Sequence, residues 1–306
     1  MTLFDAYLMV DWSASAARAT GADSIWWALI ERRGDRLTLR RRANPPYRAV
    51  ATTEIADALA GLSARGRRVL VGFDFPFGYP AGFAARHGNG RRATPRWRAT
   101  WDLLADRFSD APDNRNDRFA EAARLNRQLG FDRFPFWGHP PRRRYPGLSA
   151  TKPEGYGRRT LPERRLVETC VPRTQPVWKL AYTGSVGSQA LLGIPRVRAI
   201  RRDPRLRDRC RVWPFETGLA APDTTPGDVV LAEVYPSLAP PEAERNPVKD
   251  ARQVRTIARR FARLDGAGRL APLFVGDPSL SPVQRRTVER EEAWILGVTA
   301  TAELPA

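Results

Sequence analysis

The stretch VLVGFDFPFGYPAG, residues 69–82, restricts the fold of this chain more than any other segment. It opens with a continuous apolar run that ends in a carboxylate, Asp74. Such runs are typical of strands covered on both faces, as in the centre of a parallel sheet. Four turn-forming residues follow: Pro76, Gly78, Pro80 and Gly82. Proline restricts the path of the chain and glycine allows turns that other residues resist, so we expect a rigid turn that holds the Asp74 carboxylate in one direction.

The segments around this run alternate between strand and helix patterns. Strands are predicted over 6–11, 24–31, 36–41, 69–74, 211–216 and 229–236. Helices are predicted over 52–66, near 95–108, 116–129 and 176–192, and over 249–264 and 281–298. The order begins βββαβ, and the sequence therefore predicts an α/β fold.

Residues 75–175 interrupt this pattern with a segment rich in arginine, proline, glycine and aromatic residues. A long insertion of this kind is usually functional or partly disordered. Its aromatic residues are candidates for stacking on nucleic-acid bases. They are Trp97, Trp101, Trp137 and Tyr145. The surrounding arginines, Arg91 and Arg92 included, are candidates for contacts with a phosphate backbone.

The charge of the chain favours a polyanionic partner. Its 51 Lys and Arg residues outnumber its 33 Asp and Glu residues and give a net charge of +18. We therefore expect nucleic acid or a nucleotide as a partner. The alternative is that the many arginines and alanines reflect genome composition.

Cysteine and histidine are scarce, which moves the expected chemistry toward carboxylates. Cys170 and Cys210 form no CxxC pair, so neither a zinc site nor a disulfide framework is indicated. His87 and His139 lie in loop-like sequence. The N-terminus lacks a basic region before its apolar run, and no apolar run approaches the ~20 residues that span a bilayer. A cytoplasmic protein is expected.

Several acids lie where they could act together. Asp11 ends the first predicted strand, Asp74 the fourth, and Glu233 lies in a late apolar strand. Glu289 and Glu292 lie three residues apart on the last predicted helix and share a face. Grouped carboxylates without histidine or cysteine suit Mg²⁺ or Mn²⁺. The alternatives are turn-forming roles for the two aspartates and a solvated helix face for the two glutamates.

The strand order and these acids together resemble the ribonuclease-H-like superfamily, and more narrowly a branch of predicted nucleases with a domain of unknown function. The matching segments are VDWSAS (10–15), FDFPFGYP (73–80), AEVYPS (232–237), KDARQ (249–253) and EREEAWILG (289–297). The resemblance implies one domain over residues 1–306. It also implies a mixed five-stranded sheet flanked by helices, with 75–175 as an insertion after the fourth strand.

The resemblance also implies a metal site. The metal-binding acids of the family correspond to Asp11, Asp74 and Glu292, with Glu289 one turn earlier. Glu233 is an additional acid of this branch, with a catalytic or water-orienting role, and Asp250 is a weaker candidate. The chain departs from the family where its last helix carries glutamate instead of the common aspartate, and because the fold hosts several activities, nuclease activity does not follow from it.

The segment VWKLAYTGSVGSQALLG (177–193) is similar to a signature of a related subgroup that carries cofactor-biosynthesis labels, including molybdopterin dinucleotide synthesis. It is not a P-loop, because GxxxxGK[ST] is absent. Exposed amides at Ser185, Gly187 and Ser188 are candidates for holding phosphate. Trp178 and Lys179 are candidates for stacking on and pairing with a nucleotide. The alternatives are close helix packing through glycine and a core position for the tryptophan.

Three functions remain open from the sequence. The first is a metal-dependent nuclease, a hydrolase with Mg²⁺ or Mn²⁺ at the carboxylates and a two-metal mechanism. The second is a Mg²⁺-dependent enzyme that acts on a nucleotide or a phosphorylated cofactor. The third is a nucleic-acid-binding protein without activity. The nuclease hypothesis requires the carboxyl groups of Asp11, Asp74 and Glu292 to meet at a common metal ion.

Overall fold

One mixed sheet organises the chain. The computed structural model describes residues 2–87, 94–157, 159–171, 174–238, 240 and 242–298. Within these ranges six strands pair in the order β3-β2-β1-β4-β6-β5. The strands are β1 (Ala6–Asp11), β2 (Trp26–Arg33), β3 (Arg36–Ala43), β4 (Val69–Phe73), β5 (Cys210–Val212) and β6 (Val229–Glu233). The predicted α/β class is confirmed, and the strand predicted over 211–216 is β5, an edge strand beside β6 that gives the sheet one more strand than the five implied by the resemblance.

Eight α-helices accompany the sheet in the described residues. They are α1 (Arg48–Ala64), α2 (Phe83–His87), α3 (Arg96–Arg107), α4 (Arg118–Gln128), α5 (Leu166–Cys170), α6 (Gly187–Arg201), α7 (Lys249–Gly266) and α8 (Pro282–Thr287). A π-helical turn, Val288–Glu292, continues α8, and two 3₁₀ turns lie at Pro236–Leu238 and Ala271–Phe274. In the part of the chain that the structure describes, no helix is both long and apolar enough to cross a membrane.

The pairing of strands brings their acids to one edge of the sheet. Strand β1 runs parallel to β4, which runs parallel to β6, while β2 is antiparallel to β1. The carboxyl ends of β1, β4 and β6 therefore meet at the same edge. Asp11 is the last residue of β1, Asp74 follows β4, and Glu233 is the last residue of β6. Strands β1 and β4 are neighbours in the sheet, which places Asp11 beside the end of β4.

Two apolar clusters cover the two faces of the sheet. One contains Val71 and Phe73 of β4 and packs against α1, α3 and α6. The other contains Leu70 of β4 and Met9 of β1 and packs against α7. Because side chains alternate along a strand, neighbouring residues enter opposite clusters. This alternation also decides which acids at the sheet edge can approach one another.

Two predicted helices have different bounds in the structure. The helix expected near 176–192 is α6, which begins only at Gly187. Tyr182 and Gly184 adopt left-handed backbone conformations, with φ of 73° and 74°, and so a helix cannot run through them. The helix expected over 281–298 ends at Glu292, because Ala293 has a φ of 62° and the Leu296 amide then bonds to the Glu233 carbonyl at 2.9 Å.

Two of the tryptophans of segment 75–175 lie in the hydrophobic core and are not available to stack on bases. Trp97 and Trp101 are 4% and 1% exposed. Trp97 stacks flat on Phe215 with ring centroids 4.9 Å apart, and the Trp101 indole donates to the Phe77 carbonyl at 2.7 Å. The hypothesis that these tryptophans stack on nucleic acid is therefore wrong. Trp137 and Tyr145 are only partly buried, yet both pack against the same apolar cluster.

Candidate functional site

Two aspartates form a pair at the edge of the sheet. Val10 of β1 lies opposite Phe73 of β4, so the next residue of each strand, Asp11 and Asp74, are neighbours. Their carboxyl groups are hydrogen-bonded to each other. The Trp12 amide donates to Asp74 Oδ1 at 2.7 Å. We call Asp11 and Asp74 the acid pair.

A shared proton explains how two carboxyl groups can lie so close together. Burial raises the pKa of Asp11, and the neighbouring Asp74 raises it further. Burial also raises the pKa of Asp74, although its hydrogen bonds from the Trp12 amide and from Asp11 oppose that rise. Asp74 is thus the better carboxylate and Asp11 the better proton donor. The two acids cannot both ionise at low cost, so their ionisation is coupled.

Two further aspartates surround the acid pair. Asp250 lies in the first turn of α7, and its Oδ2 accepts the Asp23 amide at 2.8 Å. The charge of Asp250 raises the pKa of both members of the acid pair, and Asp23 raises that of Asp11. Asp250 was the weaker candidate in the sequence, and Asp23 was missed because it lies in a loop without any motif.

Asp11 opens into a cleft of about 500 Å³. The acids that line it are Asp11, Asp23 and Asp250. The same cleft is lined by polar and basic residues from distant segments, namely Ser13, Ser15, Arg118, Ser185, Ser188 and Gln189. This volume is typical of a site for a small ligand. An acidic region and a phosphate-compatible region therefore share one cavity.

Glu233 lies on the opposite face of the sheet from the acid pair. It pairs in register with Phe73, whose side chain enters the cluster against α1, α3 and α6. Its carboxylate forms a buried ion pair with Arg165, with both oxygens 2.7 Å from the guanidinium. Glu233 Oε2 also accepts the Phe77 amide at 3.0 Å. Alternation along β6 thus gives this acid a structural partner away from the cleft.

The two acids expected on the last helix also have partners elsewhere. Glu292 accepts the Ala81 amide at 2.8 Å and the Leu166 amide at 2.7 Å, and burial raises its pKa to about 7. Glu289 accepts the Leu219 amide at 3.0 Å. The helix ends before the sheet edge, so neither residue is carried to the acid pair. The structure brings together Asp11 and Asp74, but not the full predicted ligand set.

No group of three or more His, Cys, Asp or Glu side chains that could hold a metal ion occurs within the described ranges. The acid pair by itself offers two carboxyl groups. Mg²⁺ commonly binds through one or two carboxylates and completes its shell with water and substrate phosphates. The donor set at the acid pair therefore fits a cation that is shared with a phosphorylated substrate, and it does not fit an ion enclosed by protein.

The glutamates that lie away from the acid pair stabilise the turn after β4. Glu233 accepts the Phe77 amide and Glu292 the Ala81 amide, as described above. Glu291 Oε1 accepts the amides of Gly82 and Ala84 at 3.0 and 2.9 Å. A proline-rich turn cannot pair its backbone within a sheet or helix, so buried carboxylates satisfy its amides instead. Sequence reasoning missed Glu291, although it stands beside Glu292 in the motif.

Arg165 links these glutamates into one buried network. Its guanidinium contacts Glu233, Glu168 and the carbonyl of Glu292, and it is 1% exposed. A buried arginine with two carboxylate partners is satisfied in both charge and hydrogen bonds. No sequence motif pointed to Arg165, because the network forms only when α5, β6 and the last turn meet.

The predicted phosphate-binding segment is divided between core and cleft. Trp178 is fully buried and donates to the Pro162 carbonyl at 3.0 Å, so it is a core residue. Lys179 Nζ donates to Gln175 Oε1 and the Thr183 carbonyl at 3.0 and 2.9 Å, which stabilises its own loop. A Cβ at Gly187 would lie 2.3 Å from the Val177 carbonyl, and its amide already bonds to the Lys179 carbonyl.

Ser185 and Ser188 are the members of that segment that line the cleft. The Ser188 hydroxyl donates to the Leu180 carbonyl at 2.6 Å and accepts from Arg118 Nε at 2.9 Å. Arg91 and Arg92, the other predicted phosphate contacts, lie outside the described residues. The glycine in this segment therefore permits close packing, while its serines face the ligand space.

No family, no curated protein and no solved structure matches this chain. The cleft and its chemistry are therefore the basis for the function proposed below.

Proposed function

We propose that this protein is a divalent-cation-dependent hydrolase that cleaves phosphodiester bonds, with a cation site formed by Asp11 and Asp74 in place of the three-acid site, including Glu292, that the ribonuclease-H-like resemblance implies. The observation that carries the proposal is the acid pair at a sheet edge, whose member Asp11 lines a cleft with Arg118, Ser185 and Ser188. The adjacency of β1 and β4 supports the proposed fold relationship. Acid and phosphate-binding groups in one cavity are what a metal-assisted phosphoryl reaction requires.

Asp11 and Asp74 are the proposed cation ligands. A bound Mg²⁺ or Mn²⁺ would stabilise negative charge on the phosphate oxygens and on the leaving oxygen. The acid pair would surrender its shared proton to bind the cation, and the Trp12 amide would hold Asp74 in place. Asp250 and Asp23 would add negative charge that favours the cation. The resulting site is completed by the substrate phosphate.

A small nucleotide is the second candidate substrate. The aromatic residues expected to follow a polymer, Trp97 and Trp101, are buried in the core. The cleft of about 500 Å³ matches a nucleotide in size. These two observations favour a Mg²⁺-dependent enzyme on a nucleotide or phosphorylated cofactor, with the same acid pair as cation ligands. The net charge of +18 favours the polymer.

Cleavage assays test the proposal and separate the substrates. Labelled single- and double-stranded DNA and RNA, and a dinucleoside monophosphate, are incubated with the protein and Mg²⁺ or Mn²⁺. We expect cleavage that EDTA abolishes and that Asp11→Asn and Asp74→Asn reduce by at least about 10²-fold, as for loss of a group that stabilises transition-state charge. Asp35→Asn, an exposed turn position, is the matched control and should leave the rate unchanged.

The outcomes separate three functions. Cleavage of polymers alone supports the nuclease, and turnover of the small substrate alone supports the nucleotide enzyme. Salt-sensitive binding of nucleic acid with no cleavage in either metal contradicts both enzymatic proposals and supports a binding protein. Retention of full activity in Asp74→Asn would show that the acid pair is not the cation site.

A further inference from the structure

Arg118 differs from the other basic residues of the cleft region, because its charge has no carboxylate partner within the described part of the chain. It is the first residue of α4 and lines the same cleft as Asp11. Desolvation, together with the nearby positive charge of Arg48, lowers the pKa of Arg118 to about 10. A partly desolvated guanidinium without a counter-ion is a costly arrangement that a bound anion would relieve.

The surroundings of Arg118 carry excess positive charge. Asp110 is the nearest carboxylate, and it already pairs with Arg48 and with Arg196, at 2.5 and 2.7 Å. Three guanidinium groups thus lie in a region with this one carboxylate, and two of them pair with it. The positive charge of Arg118 is therefore available to an anionic ligand.

The hydrogen bonds of Arg118 fix its orientation and leave one nitrogen for a ligand. Nε donates to Ser188 Oγ at 2.9 Å and Nη1 donates to Asn116 Oδ1 at 2.7 Å. The guanidinium carbon also lies 4.5 Å from the centre of the Phe119 ring. Nη2 has no hydrogen-bond partner among the described residues, and it is not among their buried unsatisfied atoms. A guanidinium held in this way can donate a charge-assisted hydrogen bond from Nη2 to a phosphate oxygen.

We propose that Arg118, oriented by Ser188 and Asn116, is the binding site for a phosphate group of the substrate. The proposal rests on the proposed phosphodiesterase function for the rest of the substrate, which would extend along the cleft toward the acid pair. Arg118 binds a phosphate group, the acid pair holds the cation, and the two sites would position the bond to be cleaved between them. Arg118 is therefore a determinant of substrate affinity and not a cation ligand.

The test measures phosphate binding separately from cleavage. Binding of inorganic phosphate and of AMP to the full chain is followed by calorimetry in EDTA, so that no cation contributes. In Arg118→Gln we expect the AMP affinity to fall about tenfold or more, the usual size for a charge-assisted hydrogen bond. Arg118→Lys should recover only part of that affinity, since lysine keeps the positive charge but lacks the planar guanidinium.

Arg115→Gln is the matched control. Arg115 lies three residues earlier, in the loop that leads into α4; its side chain is 81% exposed, and its partner is Asp113. Its replacement removes the same charge from the molecule and should leave AMP affinity unchanged. Equal weakening by Arg115→Gln and Arg118→Gln would overturn the proposal in favour of a general charge effect, as would an unchanged affinity in Arg118→Gln.

Two further variants complete the design. Ser188→Ala removes the hydroxyl that orients Arg118 Nε, and we expect it to weaken AMP binding about threefold if the oriented guanidinium binds phosphate. This variant also tests the proposal if Arg118→Gln does not fold. An unchanged affinity in folded Ser188→Ala and Arg118→Lys would contradict the proposal. Asp74→Asn should keep AMP binding in EDTA and lose cleavage. Because binding is measured without a cation, the test of Arg118 stays valid even if no hydrolysis is found.

Discussion

At the scale of single residues, the acid pair shows that carboxyl groups placed to bind a ligand can lower the stability of the folded protein. Burial raises the pKa of both Asp11 and Asp74, and the neighbouring Asp74 raises that of Asp11 further. A surface aspartate would have its ordinary acidic pKa and would cost nothing when ionised. The ionised pair is therefore stabilised by positive charge, which either a bound proton or a bound cation can supply.

The stability of the protein should depend on this preference. Because the folded pKa of Asp11 lies above its unfolded value, the folded state binds more protons and stability falls as pH rises above about 4. Asp11→Asn removes that penalty. In EDTA we expect its melting temperature to exceed that of the unmodified protein by about 2–4 °C at pH 8, with the difference shrinking toward pH 4.

Thermal unfolding from pH 4 to pH 8 provides the measurement, with Asp35→Asn as the control. Asp35 is exposed in the turn between β2 and β3, so its replacement should shift the melting temperature equally at all pH values. A pH-independent shift in Asp11→Asn would mean that Asp11 ionises normally, and the shared proton would then be excluded.

At the scale of elements, the turn after β4 is held by backbone contact with the π-helical turn. A Cβ at Gly78 would lie 2.3 Å from the Glu291 carbonyl oxygen and 2.5 Å from the Glu292 backbone. Backbone atoms cannot move aside as the end of a flexible side chain can. Glycine is required there for close approach, and proline on either side limits the alternative paths.

Gly78→Ala should therefore destabilise the fold by about 2 kcal/mol or more. Chemical denaturation of the variant measures the loss. Gly157→Ala is the control, because a Cβ at Gly157 meets no atom within 4 Å. Comparable stabilities of the two variants would show that the turn does not approach the last helical turn as closely as the structure indicates.

At the scale of the whole molecule, a buried ionic network joins segments that are far apart in sequence. Arg165 contacts Glu233 at the end of β6, Glu168 in α5 and the carbonyl of Glu292. The glutamates also accept amides from the turn after β4. The network thereby joins the end of β6 to α5, to the last helical turn and to the turn after β4.

Removal of one charge from this network should be costly. Glu233→Gln leaves Arg165 with one carboxylate partner, and we expect a loss of about 3 kcal/mol in the free energy of unfolding. Glu154→Gln, an exposed position, serves as the control. The melting shift that Mn²⁺ produces should be retained in Glu233→Gln. A stable variant that no longer responds to Mn²⁺ would instead place Glu233 among the cation ligands.

The sequence predicted what depends on local pattern. Apolar runs and helical spacing gave the βββαβ order, and β1 matches its predicted bounds. Strand polarity then brings Asp11 and Asp74 to one edge, since parallel strands end on the same side. Ser185 and Ser188 were identified because small residues cluster where the loop meets α6. These features follow from neighbours along the chain.

Only the tertiary structure decided the partners of the remaining acids. Glu233, Glu289 and Glu292 share the residue type of the acid pair, and their sequence does not state which face they occupy or which amides they meet. Alternation along β6 and the early end of the last helix directed them to Arg165 and to backbone amides. The recruitment of Arg118 to the cleft likewise depends on contacts across 70 residues, with Ser188. The physical reason is that burial and charge pairing are properties of surfaces brought together by folding, which local sequence cannot specify.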